Sequence, residues 1–377
     1  IFLQINFEKL SASSPIYDNS MRTILYIFLL GFMFQCTIQP DQNQLTITLA
    51  GDPKSLDPAH AVDVRSGQVT ALMHDNLVRF GHGTEIHAGL AESWEVSDDG
   101  KMYSFHLRDS VFFQDGEILN ASHVKTSFER ILDPKTGSRN SWIFRDVLGV
   151  ESYKNEESDE VVGFDAVDFH TFSITLSKPF APFLGFLAMP SASIVKFNND
   201  KLIGTGPWEL NDWVRDGHML FSANSKYFEG QPKLDRLKIR ILPEALPRVA
   251  EFVTGYLDIM EIPNSEYDLW MKDQDWSDHI QHVRQLNSYY IGLNCSRPPF
   301  NDVKVRQAVN YAVDVDLILK TIFFGRGQEA GGPVPPVLLE RDEIPNYGFD
   351  PELARRLLED SGFENGFSVE LWQSQSR

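Results

Sequence analysis

Positive charge is what this chain is short of. Its 34 lysines and arginines face 53 aspartates and glutamates, for a formal charge of −19. A nucleic-acid binder needs a basic face to displace phosphate counterions, so that class is excluded. Docking on anionic lipid through a polybasic patch is excluded for the same reason. Cysteine is scarce too: only Cys36 and Cys295 occur in 377 residues. A fold stapled by disulfides is ruled out, and with no C-x-x-C or H-x-x-x-H pair no metal cage is encoded locally, so neither metal ligands nor a cofactor are expected. G-x-S-x-G and H-E-x-x-H are missing as well. Ser122 to Lys125 matches S-x-x-K and Lys135 to Gly137 matches K-T-G, but no S-D-N occurs, and the two motifs lie far closer together than that chemistry places them. No catalytic residue is assigned.

What is present is an ordinary globular composition, 42% apolar and 12% aromatic, on a chain long enough for two or three domains. The single sustained apolar run, residues 24–34, follows Met21-Arg22-Thr23 and is too short to span a bilayer comfortably, so residues 21–36 read as a secretory signal. Residues 1–20 precede this start methionine and read as an upstream extension.

The densest local signal runs from Gly89 to Gly116. Trp94 and Val96 alternate with Glu95 and Ser97, Asp98-Asp99-Gly100 supplies a turn, and Tyr103, Phe105 and Leu107 share one face of the returning strand. Asp115-Gly116 turns again, and Asn120 caps a helix over residues 121–132 that carries Val124, Phe128 and Leu132. Further strands are expected over 45–49, 171–176, 208–213, 237–241, 257–259, 289–294 and 367–372. Helical patterns cover 74–80, a stretch from Pro247 to Gly255, and stretches opening over Pro299 to Asp302, at Asp314 and at Asp350. Strands alternating with helices indicate a mixed α/β protein. A buried strand at 367–372 with five residues after it would lack neighbours, so the chain is expected to be truncated at its C-terminus.

The string Gly89 to Gly116 closely resembles the signature of the family 5 extracellular solute-binding proteins, the peptide-binding subunits of bacterial ABC importers. Leu56-Asp57-Pro58, Gly204-Thr205-Gly206-Pro207-Trp208, Asn224 to Phe228, Gly255 to Ile259, Pro298 to Ala308, Ala312-Val313-Asp314 and Asp350 to Leu358 extend the likeness in order. His123 stands where the family usually has an acid, and Phe228 where it prefers tryptophan.

The resemblance implies a periplasmic-binding-protein-like two-lobe clamp of type II with an extra inserted domain. Domain I would comprise 41–74 and 203–286, domain II 75–202, and domain III the incomplete stretch 287–377. It implies a monomer that captures peptides outside the cytoplasmic membrane and delivers them to ABC permease subunits, with nickel, haem or an oligosaccharide as alternative cargo. An extracytoplasmic hydrolase is the rival from another class. Cys36 directly after the apolar run resembles a lipoprotein signal, which implies acylation and membrane attachment; Gln35 departs from that pattern, and plain secretion or an uncleaved anchor stay open.

The ligand-binding candidates are Ala61, Val62, Asp63, Val64 and Trp142. In peptide-binding relatives the segment equivalent to 61–64 pairs its backbone with the ligand, a mode that ignores side chains and so accepts many sequences. The alternative is an edge strand with a solvent-facing Asp63. Trp142 either covers ligand side chains or anchors its own loop. Gly204 to Pro207 reads as a tight inter-domain turn and not as a phosphate cradle, because Pro207 removes a backbone donor.

Overall fold

The computed structural model describes residues 43–81, 83–199, 201–283, 287–335 and 347–372. Cys36, the signal region and His82 lie outside them. In chain order the described strands are β1 (Gln44–Leu49), β2 (Val78–Phe80), β3 (Ile86–Ala88), β4 (Ala91–Val96), β5 (Met102–Leu107), β6 (Phe164–Ala166), β7 (Thr171–Thr175), β8 (Lys196–Asn198), β9 (Lys201–Ile203), β10 (Trp208–Val214), β11 (His218–Ala223) and β12 (Arg236–Ile241).

Two four-stranded sheets organise the chain. The first has the order β1-β12-β11-β10: a meander from β10 to β12, with β1 added in parallel so that Ile47 faces Ile239. Parallel neighbours cannot be joined by a tight turn, so everything between β1 and β10 is carried in the crossover. The Val64–Met73 helix covers this sheet, burying Val69 and Met73 against Met219, Phe221, Leu237 and Ile239. Asp258 closes the outer edge of β1: its N–H donates to the Thr46 carbonyl at 2.9 Å, and its carboxylate accepts the Thr46 N–H at 2.6 Å.

The second sheet, β4-β5-β7-β6, is antiparallel throughout and built from the hairpin read in the sequence. Trp94 faces Phe105, which in turn faces Phe172. Gly100 closes the turn at φ 68° and Gly116 the next at φ 91°, a region that penalises any Cβ. The Ala121–Leu132 helix lies on this sheet with Val124, Phe128, Ile131 and Leu132 buried. Phe128 stacks within 4.6 Å of Phe144, 5.6 Å of Phe164 and 5.8 Å of Phe172, centroid to centroid. Each such fully buried phenylalanine contributes about 2–3 kcal/mol.

The helix start explains the unusual His123. Asn120 Oδ1 accepts the His123 N–H at 3.1 Å, and His123 Nδ1 accepts the Asn120 N–H at 3.2 Å. An imidazole therefore completes a capping box in which a carboxylate would ordinarily serve. With Nδ1 accepting, the ring proton sits on Nε2 and faces Glu117 at 3.2 Å.

Two chain segments, 74–76 and 204–207, run between the sheets side by side. The Gly206 N–H donates to the Met73 carbonyl at 3.0 Å. A Cβ on Gly206 would lie 2.4 Å from Met73 C and 2.6 Å from His74 N, so only glycine permits this approach. Gln114 Nε2 ties the junction from the second sheet, donating to the Gly206 carbonyl at 3.2 Å and the Trp208 carbonyl at 3.0 Å.

Several expectations need correction. The stretch 74–80 is not a helix: the helix precedes it, and 78–80 is β2, paired with β3. Val78 is buried there while Arg79 and Phe80 face outward, and the short apolar spacing fits either period. The second-sheet region also carries short helices at Val150–Lys154 and Phe183–Leu187 and a 3₁₀ turn at Ser141–Phe144 that no sequence pattern marked. Segments 257–259, 289–294 and 367–372 form no strands; Tyr289, Tyr290 and Trp372 are largely exposed. Residues 257–259 bond to β1 only through Asp258, and for 289–294 and 367–372 β propensity alone does not make a strand when no described neighbour supplies backbone partners. The later helices start where their aspartates stand: Asp302 caps Val303–Ala312, Asp314 caps Val315–Thr321 and Asp350 caps Pro351–Asp360.

Candidate functional site

The site begins at the Leu56-Asp57-Pro58 turn. Asp57 Oδ1 accepts the Ala59 N–H at 2.9 Å, and its carboxylate takes both arms of the Arg130 guanidinium, with Nη1 2.9 Å from Oδ1 and Nη2 on Oδ2. Arg130 also lies over the Phe197 ring, 4.5 Å from its centroid. A bidentate, aromatic-backed arginine fixes direction as well as charge, so the turn is aimed by a helix about 70 residues further along the chain.

Beyond the turn, the chain is held from outside. Asn140 Nδ2 donates to the Pro58 carbonyl at 2.9 Å and the Ala61 carbonyl at 3.1 Å, and Ser191 Oγ donates to the same Ala61 carbonyl at 3.0 Å. Ser138 Oγ donates to the Ala59 carbonyl at 2.6 Å. Ala61 is buried, and its carbonyl is fully engaged. Val62 is 45% exposed, and among the described residues its N–H and C=O have no hydrogen-bond partner.

Asp63 is not an edge-strand residue. It is the N-cap of the Val64–Met73 helix, its Oδ1 accepting the Ser66 N–H at 3.1 Å and its Oδ2 the Ser66 hydroxyl at 2.6 Å. That hydroxyl accepts the N–H groups of Lys54 and Ser55 at 2.9 and 3.1 Å. Burial works against the charged form, but the Ser66 hydroxyl and amide, with Lys54 and Arg65 nearby, hold the Asp63 carboxyl below its usual range. Val64 is the first residue of the helix, so the extended stretch stops at Asp63; the D-x-x-S spacing from Asp63 to Ser66 is the local mark of this N-cap.

Ala61, Val62, Asp63, Val64 and Trp142 all border one groove of about 820 Å³. The remaining lining comes from Gly67, Gln68 and Ala71 of the helix, Arg139 and Asn140 before the 3₁₀ turn, and the segment 189–191. Trp142 is 40% exposed and meets Phe186 edge to face at 5.0 Å. It is thus anchored on one side and borders the groove on the other. Arg139, Asn140 and Ser191 were missed in the sequence. Nothing local marks them: Asn140 and Ser191 reach the groove through hydrogen bonds to Ala61, 79 and 130 positions away, and Arg139 enters it only as lining.

The hydrolase motifs do not come together as machinery. Lys125 is bound to Glu160 at 2.5 Å, and Lys135 sits in the turn after the helix, its N–H donated to Asp133 at 2.8 Å. Among the described residues no group of three or more histidines, cysteines or carboxylates could hold a metal ion, and no helix is long and apolar enough to cross a membrane.

The sequence profile of the bacterial extracellular solute-binding proteins, family 5 middle region, matches residues 85–376. Heme-binding protein A of Haemophilus influenzae is 35% identical over 355 residues, which is 88% of this chain and 64% of that protein. The dipeptide-binding protein of Escherichia coli K12 is 34% identical over 349 residues, covering 85% of this chain and 64% of the relative. The chain therefore spans about two thirds of the length of these relatives. Among solved structures, the murein tripeptide binding protein of Escherichia coli superposes with a TM-score of 0.75 at 25% identity, over 87% of this chain and 68% of that one. The fold is that of these binding proteins, the α/β two-lobe clamp.

Proposed function

Since the chain belongs to the family 5 bacterial extracellular solute-binding proteins, we propose that it is the extracytoplasmic peptide-capturing part of an ABC importer, passing its cargo to permease subunits without chemical change. The observation that carries this reading is the groove beside Val62. It offers an unpaired backbone N–H and C=O on an exposed residue, flanked by the open face of Trp142. An extended peptide can add its main chain to such an edge, while an aromatic face covers side chains of many kinds. The dipeptide-binding and tripeptide-binding relatives support the same class of cargo.

In this reading residues 41–74 and 203–286 form domain I, 75–202 an inserted domain II, and 287–377 the beginning of domain III. Ligand closes the lobes on each other, and the closed state is what the permease recognises. The protein acts as a monomer, and a lipid on Cys36 holds it at the membrane surface. A haem cargo is the second reading, favoured by the similarity to heme-binding protein A.

A thermal-shift screen of the full-length protein against pooled di- to pentapeptides, haem, nickel and oligosaccharides tests the cargo. A ligand at a hundred times its Kd adds about 2.7 kcal/mol of stability. A rise with peptides alone supports the proposal. A rise with haem alone keeps the fold and overturns the cargo.

A further inference from the structure

We infer that Gly67 is a specificity-determining residue, which keeps the Val62–Trp142 groove open for a large apolar side chain of the bound peptide. This rests on the peptide-capture reading and adds to it the kind of side chain that is captured.

The first observation is that the fold has no need of a glycine at this position. Gly67 lies within the Val64–Met73 helix, and its N–H donates to the Asp63 carbonyl at 3.0 Å in the regular helical pattern. Its backbone is one that any residue adopts, unlike that of Gly100 and Gly116 with their positive φ. Nor is it crowded. A Cβ there would meet only Pro190, at 3.6 and 3.8 Å, which is ordinary van der Waals contact. At Gly204 the same atom would fall 2.0 Å from His74 Nδ1 and 2.2 Å from the Met73 carbonyl oxygen. Glycine inside a helix is a poorer choice than alanine, because it exposes backbone and surrenders more freedom on folding. Stability therefore favours a side chain at this position, and what its absence supplies is space.

The second observation is the character of the helix face to which Gly67 belongs. The opposite face packs on the first sheet, where Val69 and Met73 are buried. A helix packed in this way ordinarily turns polar residues outward. Here the groove side carries Val64, Gly67 and Ala71, and Val64 is 74% exposed. Met189, Pro190 and the Trp142 ring border the same space. Of the polar lining residues, Asp63 is committed to Ser66, and Asn140 and Ser191 to the Ala61 carbonyl. Gln68 and Arg139 remain, each with an apolar stem below its polar head. A largely apolar space of about 820 Å³ beside the Val62 backbone accommodates an aromatic or long aliphatic side chain.

Calorimetric titration of the full-length protein compares Ala-Ala-Ala with Phe-Ala-Ala, Ala-Phe-Ala and Ala-Ala-Phe. At one register the phenylalanine is expected to tighten binding about tenfold over Ala-Ala-Ala. G67L is expected to remove that preference while leaving Ala-Ala-Ala binding unchanged. G67A is expected to give an intermediate preference and to melt no lower than the wild type. A lower melting temperature for G67A overturns the inference, since it marks a structural need for the glycine. A preference that survives G67L, or one missing from the wild type, overturns it too. An equal loss for all four probes in both variants does the same, as that marks a distorted groove and not a filled one. Each of these results leaves peptide capture standing. If none of the four probes binds the wild type, both the inference and the peptide reading fall.

Discussion

Asn140 Nδ2 donates a hydrogen bond to the carbonyl of Ala61 at 3.1 Å, joining two residues 79 positions apart at the rim of the groove. Asn140 is buried, and the same amide reaches the Pro58 carbonyl. One side chain thus decides the path of the strand-like segment that leads to Val62. Asn140→Ala leaves these carbonyls short of a donor in a buried setting. It is expected to cost about 1–3 kcal/mol in urea unfolding and to weaken peptide binding through disorder of the 58–62 segment.

The Asp57–Arg130 pair aims the preceding turn. Both side chains are about 20% exposed, so removing one partner strands the other in a poorly solvated place. Asp57→Ala is expected to destabilise the protein by about 3 kcal/mol, measured by the shift in denaturation midpoint at constant slope.

His74 and Asp75 are neighbours with opposite responses to pH. Burial pushes the His74 imidazole down from 6.5 to about 4, and burial pushes the Asp75 carboxyl up from 3.8 to about 6, against hydrogen bonds from Thr205 Oγ1 at 2.8 Å and the Tyr227 hydroxyl at 3.2 Å. Asp57 lies near His74, while Arg79 and Glu229 face Asp75. Between pH 4 and 6 the folded Asp75 holds a proton that the unfolded chain has released, so its contribution falls as pH rises. Over nearly the same window the unfolded His74 holds a proton that the folded ring refuses, so its contribution rises with pH. The two slopes oppose each other in the wild type. Asp75→Asn should uncover the histidine, with stability rising by on the order of 3 kcal/mol from pH 4 to 6.5. His74→Gln should uncover the reverse slope. Urea melts across that range check both.

Gly206 and Gly137 separate two reasons for a glycine. At Gly206 a Cβ meets the Met73 and His74 backbone, which cannot yield, so Gly206→Ala should cost about 3 kcal/mol. Gly137 has φ 61° and open space around it. Gly137→Ala pays only for the left-handed backbone, about 1 kcal/mol. Thermal melts of the two variants should differ accordingly.

Trp142→Ala keeps the fold, since the ring is 40% exposed, but removes the aromatic face of the groove. Peptide affinity is expected to drop about tenfold, roughly 1.4 kcal/mol, with melting temperature little changed.

The local code of this protein was readable wherever one short stretch contains its own partners. The 94–107 hairpin, the Asn120 cap, the aspartates that open the later helices and the glycines in turns all act within a few residues, and alternation or capping chemistry identifies them. The same strings carried the family. Tertiary structure decided what depended on distant groups. Asp63 became a helix cap in place of an edge-strand residue because Ser66 could gather the Lys54 and Ser55 amides. Residues 289–294 stayed out of any sheet because a strand is completed by its neighbours, not by its own propensity. The groove is the clearest case. Sequence alone picked out Ala61 to Val64 and Trp142 by family likeness, but Arg139, Asn140 and Ser191 join them only after folding brings separate segments together, since hydrogen bonds and charge act through space and not along the chain.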